Sequence, residues 1–177
     1  MNRSDLCLEF ANTRYWRGQD MPTETLNTPA DLAAWTKAPK PPSQKEFERA
    51  LELRETIHRL FDTVAQGKAP AARDFEGLNA ALAAAPARQT LKRGSEAFDW
   101  ELDMRSGTAL ALLAPVLWSA GDLMASGKLA KVRRCANPEC LYLFLDESRA
   151  GKRRWCTMSS CGNRAKARRH YHKSRQG

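Results

Sequence analysis

The sequence predicts an α+β protein with two parts: a mainly helical N-terminal domain containing a small antiparallel sheet, and a small C-terminal module held together by cysteines. Three observations support this prediction. Apolar residues recur with helical spacing between residues 28 and 84 and again between 108 and 125. The spacing changes to every second residue between 98 and 104, which is typical of a half-buried strand. Four of the five cysteines lie after residue 134, in two close pairs.

The first element is predicted between residues 4 and 13. Leu6 and Phe10 are spaced i, i+4, which favours a short helix, and Ser4 is a candidate for its N-cap. Leu6, Leu8 and Phe10 also alternate with other residues, so a strand is the alternative. Residues 14–26 contain glycine, proline and mostly polar side chains and are predicted to be irregular.

Two capping boxes predict where the next helices begin, because each places an acid three residues after a hydroxyl residue. Thr28 and Asp31 form the first box, with a proline between them at the first helical position. Ser43 and Glu46 form the second box, which opens a long amphipathic helix over residues 44–66.

The long helix is expected to end at Gly67, because glycine is the usual residue just beyond a helix C-terminus. A further helix is predicted over residues 70–84. Its apolar residues Phe75, Leu78 and Leu82 are expected to face inward.

A β-hairpin and a last helix complete the N-terminal domain. The alternating residues 98–104 are expected to pair with residues 88–92 across an Arg-Gly-Ser turn. Residues 108–125 return to helical spacing, and Pro115 is expected to bend that helix because it lacks a backbone donor. We place the domain boundary at Gly127.

Charge differs sharply between the two parts. Residues 128–177 contain 14 Lys and Arg against 3 Asp and Glu, whereas residues 1–127 contain 15 against 17. A cationic end of this kind indicates a polyanionic partner. The sequence shows no secretory signal and no unbroken apolar stretch that would cross a membrane, and its cysteine usage fits a reducing compartment, so we expect a cytoplasmic protein.

The spacing of the C-terminal cysteines predicts a structural zinc site. Two pairs, each with four intervening residues, are separated by a hairpin-length insert of fifteen: Cys135, Cys140, Cys156 and Cys161. Four thiolates complete the tetrahedral shell of Zn²⁺ and leave no open position for catalysis. Two disulfides or four inert core cysteines are the alternatives, and His170 or His172 are alternative ligands. Cys7 is expected to be a buried apolar residue.

The segments around the cysteines predict a treble-clef-like zinc finger. Residues 136–139 form a turn between the first two ligands, and residues 141–145 read as an apolar strand. Residues 152–155 are expected to be the return strand of a hairpin. A helix over residues 165–173 follows the second pair of cysteines. Fifty residues without a core of their own need such a metal.

The surplus cations lie on the predicted hairpin and helix, where long side chains on a rigid support suit nucleic-acid phosphates. The candidate nucleic-acid-binding residues are Arg149, Lys152, Arg153, Arg154, Arg164, Lys166, Arg168, Arg169, Lys173 and Arg175. A basic face that is merely solvated, or arginines paired with acids of the N-terminal domain, are the alternatives.

Both halves of the sequence resemble known families. The tetrapeptide Cys161-Gly162-Asn163-Arg164, the Phe-x-Asp element before it and the Arg-Arg-Trp-Cys run are similar to the CGNR zinc finger. The LCLEFANT stretch at residues 6–13, the Thr-Pro-x-Asp-Leu-x-x-Trp element at 28–35 and the Glu-Leu-Arg-Glu run at 52–55 resemble the ABATE domain. The resemblance implies a two-domain bacterial protein that regulates transcription, in response to stress.

The function predicted from these features is a DNA-binding transcription regulator that responds to stress or to a ligand. An RNA-binding or ribosome-associated protein and a zinc-finger adaptor that binds another protein are the alternatives. The N-terminal domain lacks the sequence motifs of known catalytic sites, so no enzymatic activity is expected. A small-molecule effector would bind in a cleft for which the candidate lining residues are Asn12, Thr13, Trp35 and Arg54.

Overall fold

The computed structural model describes residues 5–94 and 97–174, and the α+β architecture predicted from the sequence is confirmed within them. The helices are α1 (Leu6–Ala11), α2 (Pro29–Thr36), α3 (Gln44–Ala65), α4 (Ala72–Ala84), α5 (Ala109–Leu112), α6 (Ala114–Ala125) and α7 (Asn163–Ser174). Three antiparallel strand pairs accompany them: β1 (Arg14–Tyr15) with β2 (Thr23–Glu24), β3 (Leu91–Arg93) with β4 (Phe98–Trp100), and β5 (Val132–Arg134) with β6 (Leu143–Leu145).

Helix α1 lies at the centre of the N-terminal core, so the helical interpretation of residues 4–13 is confirmed and the strand alternative is wrong. Leu6, Leu8 and Phe10 are buried, and the helix packs against α3 and α6. The backbone N–H of Cys7 donates to Ser119 Oγ on α6 (3.1 Å). The predicted cap, Ser4, lies outside the described residues. The segment predicted to be irregular contains the short β1–β2 pair.

The two predicted capping boxes differ in the structure. In the first, Thr28 and Asp31 exchange both capping bonds at the start of α2. In the second, the Ser43 side chain accepts from the Glu46 N–H, but the Glu46 carboxylate accepts from the Ala109 N–H (2.7 Å) instead of returning to Ser43. Glu46 therefore ties the start of α3 to the start of α5.

The inward face of α4 is set by an ion pair, and the prediction that Phe75 faces inward is wrong. Arg59 on α3 holds the Asp74 carboxylate at 2.6 Å, so Asp74, Leu78 and Ala81 face the interior. These residues are spaced i, i+4, i+7 and occupy one helix face. Phe75 is rotated outward and remains 44% exposed.

The β3–β4 hairpin and the break in the last helix of the N-terminal domain form as predicted, but the strands and helices are shorter than expected. Strands β3 and β4 have three residues each, and Phe98 is 67% exposed while Trp100 is half-buried. The helix predicted over 108–125 divides at Leu113, because Pro115 occupies the first turn of α6, where its missing N–H costs no hydrogen bond.

The hydrophobic core of the N-terminal domain extends into the C-terminal module. Val132, Leu143 and Leu145 belong to the same buried cluster as α1, α3 and α6. The predicted pairing of residues 141–145 with 152–155 is wrong, because β6 pairs with β5, which precedes the first cysteine. All three residues of β6 are buried, whereas 152–154 are charged and exposed and cannot follow β6 into that core.

Asn12, the residue that ends α1, fastens β6 to the N-terminal domain. Its Nδ2 donates to the Leu143 carbonyl (2.8 Å), and its Oδ1 accepts from the Leu143 N–H (3.0 Å). Both bonds are buried. The Asn12 side chain thus satisfies the backbone N–H and C=O of Leu143 as a neighbouring strand would. Asn12 therefore makes these hydrogen bonds inside the protein, and it also lines a cavity of about 510 Å³ between α1, β1 and the zinc-binding cysteines.

Asn12→Ala is expected to lower the free energy of unfolding by about 1–3 kcal/mol, because it leaves a buried N–H and a buried C=O without partners. Urea unfolding of the zinc-loaded protein measures this. Asn27→Ala is the matched control, since Asn27 is exposed. Equal unfolding midpoints for the two variants would contradict the assigned role of Asn12.

Candidate metal centre and nucleic-acid interface

The four cysteines predicted as zinc ligands converge on one point. The sulfur atoms of Cys135, Cys140, Cys156 and Cys161 all lie within 4.8 Å of one another. The Cys140 and Cys156 sulfurs are 3.8 Å apart. A tetrahedron of sulfurs at the usual Zn–S distance has edges of about 3.8 Å. The arrangement therefore has the size that Zn²⁺ requires.

Two tight turns place these ligands. Cys135 follows β5, and the Cys140 N–H donates to the Asn137 carbonyl (2.9 Å), which closes the turn between the first pair. In the second pair, the Thr157 hydroxyl accepts from the Ser160 N–H and starts the turn that contains Cys161. Helix α7 begins two residues later, so the second pair is fixed to the base of that helix.

Neighbouring groups support ligation by all four sulfurs. The Asn137 side chain donates to the Cys161 sulfur (3.5 Å), the kind of outer hydrogen bond that orients a metal ligand. Hydrogen bonds from Cys140 and Cys156 lower the pKa of Cys135, whereas bonding to Cys135 raises the pKa of Cys140. Four sulfurs this close cannot all ionise unless a cation neutralises them, and Zn²⁺ supplies that charge.

The geometry bears on the alternatives left open for the cysteines, whereas the side chains of the alternative ligands His170 and His172 lie outside the described part of the structure. All five cysteines are free thiols, so the disulfide alternative is wrong. Cys7 is not part of the cluster and lies in the N-terminal core, where burial raises the pKa of its thiol to about 12. It behaves as the buried apolar residue that was predicted. The four C-terminal cysteines are positioned to bind a zinc ion.

A second set of contacts holds the loop before Cys156. The Arg153 guanidinium lies over the Phe144 ring (4.4 Å) and donates to the carbonyls of Trp155 and Cys156. The Arg153 N–H donates to the buried carboxylate of Asp146 (2.8 Å). Although Arg153 was predicted to contact nucleic acid, its side chain is occupied in holding a ligand-bearing loop.

The other predicted cations surround the metal centre on the surface. Those with described side chains are exposed: Arg149, Lys152, Arg154, Arg164, Lys166 and Arg168. The side chains of Arg169 and Lys173, and all of Arg175, lie outside the described part of the structure. Contact with nucleic acid stays a prediction for the whole set.

Three of these arginines line a pocket beside the zinc ligands. Its volume is about 260 Å³, and it lies between the turn of the first cysteine pair, Trp155 and the first turns of α7. Arg154 lies over the Trp155 ring (5.2 Å), and Arg164 lies over the Trp16 ring (4.5 Å). Arg168 forms an ion pair with Glu139 (2.6 Å). We call this the arginine pocket.

In the N-terminal domain, the loop that follows β1 contacts two residues that line the arginine pocket, Arg164 and Pro138. Trp16 lies in that loop, and the Gly18 N–H donates to the Glu139 carbonyl (3.1 Å). A Cβ at position 18 would lie 1.7 Å from the Pro138 carbonyl oxygen, so only glycine allows this approach. The loop and the zinc-binding turn are thus in close contact.

The four residues predicted to line a ligand cleft, Asn12, Thr13, Trp35 and Arg54, lie in different surroundings, and binding of a ligand by them stays a prediction. The buried Arg54 guanidinium donates to both carboxylate oxygens of Glu24 (2.6 Å each), to Glu55 and to the Thr13 hydroxyl. The acceptor that Arg54 needs is thus supplied by acids of the protein itself. Trp35 lines a cavity of about 430 Å³ in the N-terminal domain, and Asn12 lines a separate one of about 510 Å³ beside the zinc-binding cysteines.

Two family models match the chain, each over a different range of residues. The ABATE family model, described as "Putative stress-induced transcription regulator", matches residues 4–127. The chain belongs to the ABATE family. The CGNR zinc finger model matches residues 131–174, which include the four clustered cysteines of this ABATE protein. No match was found among curated proteins. The part of the chain described by the structure has no helix long and apolar enough to span a bilayer.

Several residues of the ABATE protein's site were missed by the sequence reasoning. Trp16, Trp155 and Glu139 shape the arginine pocket, and Asn137 contacts a zinc ligand. Only Trp155 carried a local signal, because it adjoins Cys156 in the Arg-Arg-Trp-Cys run. Trp16 lies about 148 residues from the arginine that it supports, and no sequence period connects the two.

Proposed function

We propose that this ABATE protein is a bacterial, cytoplasmic transcription regulator that binds duplex DNA through its zinc finger. The observation that carries the proposal is the arginine pocket. Zinc fixes the two turns that bear its walls, so three guanidinium groups are held in place before a ligand arrives. Pre-ordered cations bind an anion at a smaller entropic cost than flexible ones.

The stacked arginines are suited to binding phosphate. An arginine that lies over an aromatic ring uses the face of its guanidinium and keeps the N–H edge for hydrogen bonds. Within the described residues, the edges of Arg154 and Arg164 have no hydrogen-bond partner. A DNA phosphate that enters the pocket would accept from both edges.

Helix α7 extends the cationic surface beyond the pocket. Arg164 and Arg168 lie one turn apart and line the pocket, while Lys166 lies on another side of the helix and is exposed. Cations on more than one side of a helix suit the two phosphate walls of a duplex groove. This favours duplex DNA over a protein partner as the ligand of the finger.

We assign the zinc a structural role without catalysis, because four sulfurs complete a tetrahedral shell and leave no position for a reactive water. Regulation of transcription is consistent with the description of the ABATE family. Binding to structured RNA and docking to another protein are the competing functions, and the experiment below distinguishes them.

Arg154→Ala, Arg164→Ala and Arg168→Ala are each expected to weaken binding to random duplex DNA about tenfold near 0.1 M salt and to reduce the salt slope by about 0.9, the value for one lost phosphate contact. Fluorescence anisotropy at several salt concentrations measures both effects. Arg73→Ala removes an exposed arginine on α4 and is the matched control. Unchanged affinity and slope in all three variants would exclude the arginine pocket as the DNA contact.

Glu139→Gln is expected to strengthen DNA binding, the opposite of the effect of the arginine variants. The Glu139 carboxylate accepts from Arg168, whose hydrogen bond lowers the pKa of Glu139, and it competes with a phosphate for that arginine. Tighter DNA binding by this variant supports the proposal. Stronger binding to hairpin RNA than to duplex DNA would favour the RNA function, and binding without any salt dependence would favour the protein adaptor.

A further inference from the structure

A cavity of about 430 Å³ lies in the N-terminal domain, between α1, α2, the β3–β4 hairpin and α6. Three tryptophans from three different elements line it: Trp35, Trp100 and Trp118. Its volume falls in the range of small-molecule sites, roughly 300–1,000 Å³. The cavity lies outside the zinc finger and has no part in the DNA-binding function proposed above.

The aromatic walls of this tryptophan cavity are held in fixed positions. Trp118 Nε1 donates to the Pro86 carbonyl (3.0 Å), and the Trp35 ring packs on Phe10 at a centroid distance of 5.1 Å. The Arg88 guanidinium lies 5.9 Å from the Trp100 ring and 5.7 Å from the Trp118 ring. Rigid aromatic surfaces of this kind bind a flat molecule with little loss of conformational entropy.

The charged residues that line the cavity cancel one another. Arg88 makes two hydrogen bonds of 2.7 Å with Asp122, and Lys92 lies directly opposite Asp99 in the β3–β4 register. The two remaining charged residues, Glu9 and Lys37, have opposite signs. A charged ligand would therefore gain no net attraction from the lining, while it would lose its hydration.

We infer that the tryptophan cavity is a binding site for an uncharged, flat aromatic compound that stacks on the indole rings. Leu102, Met104 and Val116 also line the cavity and offer further apolar surface to the compound. The site includes Leu6 and Glu9 of α1, the same helix whose terminal Asn12 holds β6 of the zinc finger. A compound in the cavity thus contacts the element that fastens the finger.

The test uses two fluorescent probes that differ by one sulfonate group. The zinc-loaded full chain is titrated with the uncharged N-phenyl-1-naphthylamine and with the anionic 8-anilinonaphthalene-1-sulfonate. We expect saturable binding of one uncharged probe per chain, at least tenfold tighter than binding of the anionic probe. Trp100→Ala is expected to weaken binding of the uncharged probe at least tenfold. Phe98→Ala, on the same strand but outside the cavity lining, is expected to leave it unchanged.

Leu102→Trp is a second variant that fills the cavity with a larger side chain and is expected to abolish binding of the uncharged probe. Equal binding by the wild type and by Leu102→Trp, or a preference for the anionic probe, would overturn the inference. Circular dichroism confirms that each variant is folded. Because no DNA is present, failure of this test is distinguishable from failure of the proposed DNA binding.

Discussion

Cys156→Ser is expected to abolish stoichiometric zinc binding and to unfold α7. A structural zinc site contributes roughly 10–16 kcal/mol of apparent folding free energy in small modules at neutral pH, and a serine hydroxyl does not replace the thiolate. Helix α7 has 12 residues and no apolar face of its own, so it is too short and too polar to be stable when detached from the metal centre. Elemental analysis after chelator treatment and circular dichroism at 222 nm measure the two effects.

The N-terminal domain and the β5–β6 pair are expected to remain folded in this variant, because Val132, Leu143 and Leu145 stay buried in the shared core. Cys7→Ser is the matched control: it makes the same substitution in a buried thiol that takes no part in the cluster. The control is expected to retain one zinc per chain. One zinc per chain in Cys156→Ser would refute the assigned ligands.

Arg54→Met is expected to lower the free energy of unfolding by about 3 kcal/mol, because it leaves the half-buried Glu24 carboxylate without its cation and leaves Glu55 with Arg17 alone. The Arg54 side chain is 3% exposed and pairs with Glu24 and Glu55, which are 28% exposed. Methionine keeps much of the side-chain volume, so the loss reports on charge and not on packing. Thermal or urea unfolding of the zinc-loaded protein measures the change.

The cost of Arg54→Met is expected to disappear in acid. Burial disfavours the charged form of Glu24, but hydrogen bonds from Arg54 and the Leu26 N–H outweigh it and lower the pKa of Glu24 below its ordinary value of 4.5. The pKa of Glu55 is lowered in the same way by Arg17 and Arg54, against burial. Stability from carboxylates with a lowered pKa is present above pH 4.5 and is lost as the pH falls through the folded-state pKa.

The wild type should therefore lose stability faster than Arg54→Met below pH 4.5, and the two unfolding curves should converge. Arg105→Met is the control, because the Arg105–Asp103 pair is exposed and worth about 0–1 kcal/mol. A difference between Arg54→Met and wild type that stays constant from pH 7 to pH 3 would mean that the ion pairs do not cause it.

Features set by neighbouring residues could be predicted from the sequence. The caps at Thr28 and Ser43, the bend at Pro115 and the four cysteine ligands depend on contacts within a few residues or on a metal with strict geometry. The zinc site was predictable because its spacing alone specifies the ligands.

Features that depend on distant partners could not be predicted. Strand β6 was assigned the wrong partner, because its preference for β5 comes from burial against α1 and α3. Phe75 was placed inward because nothing local shows that Arg59 holds Asp74 there instead. The same holds for the tryptophan cavity, whose three rings come from elements separated by tens of residues.

The core that crosses residue 127 restricts how this finger can be exchanged with fingers of other proteins. The ABATE match ends at 127 and the finger match begins at 131, yet Val132, Leu143 and Leu145 fit a cavity shaped by α1, α3 and α6. If the finger of another protein were joined at residues 127–131, its side chains would replace Val132, Leu143 and Leu145 in the shared core. Poor packing there would lower the stability of the protein. A joint after Leu145 would transfer two cysteines without the other two. Because neither joint is tolerated, we expect the two parts of the chain to be inherited together.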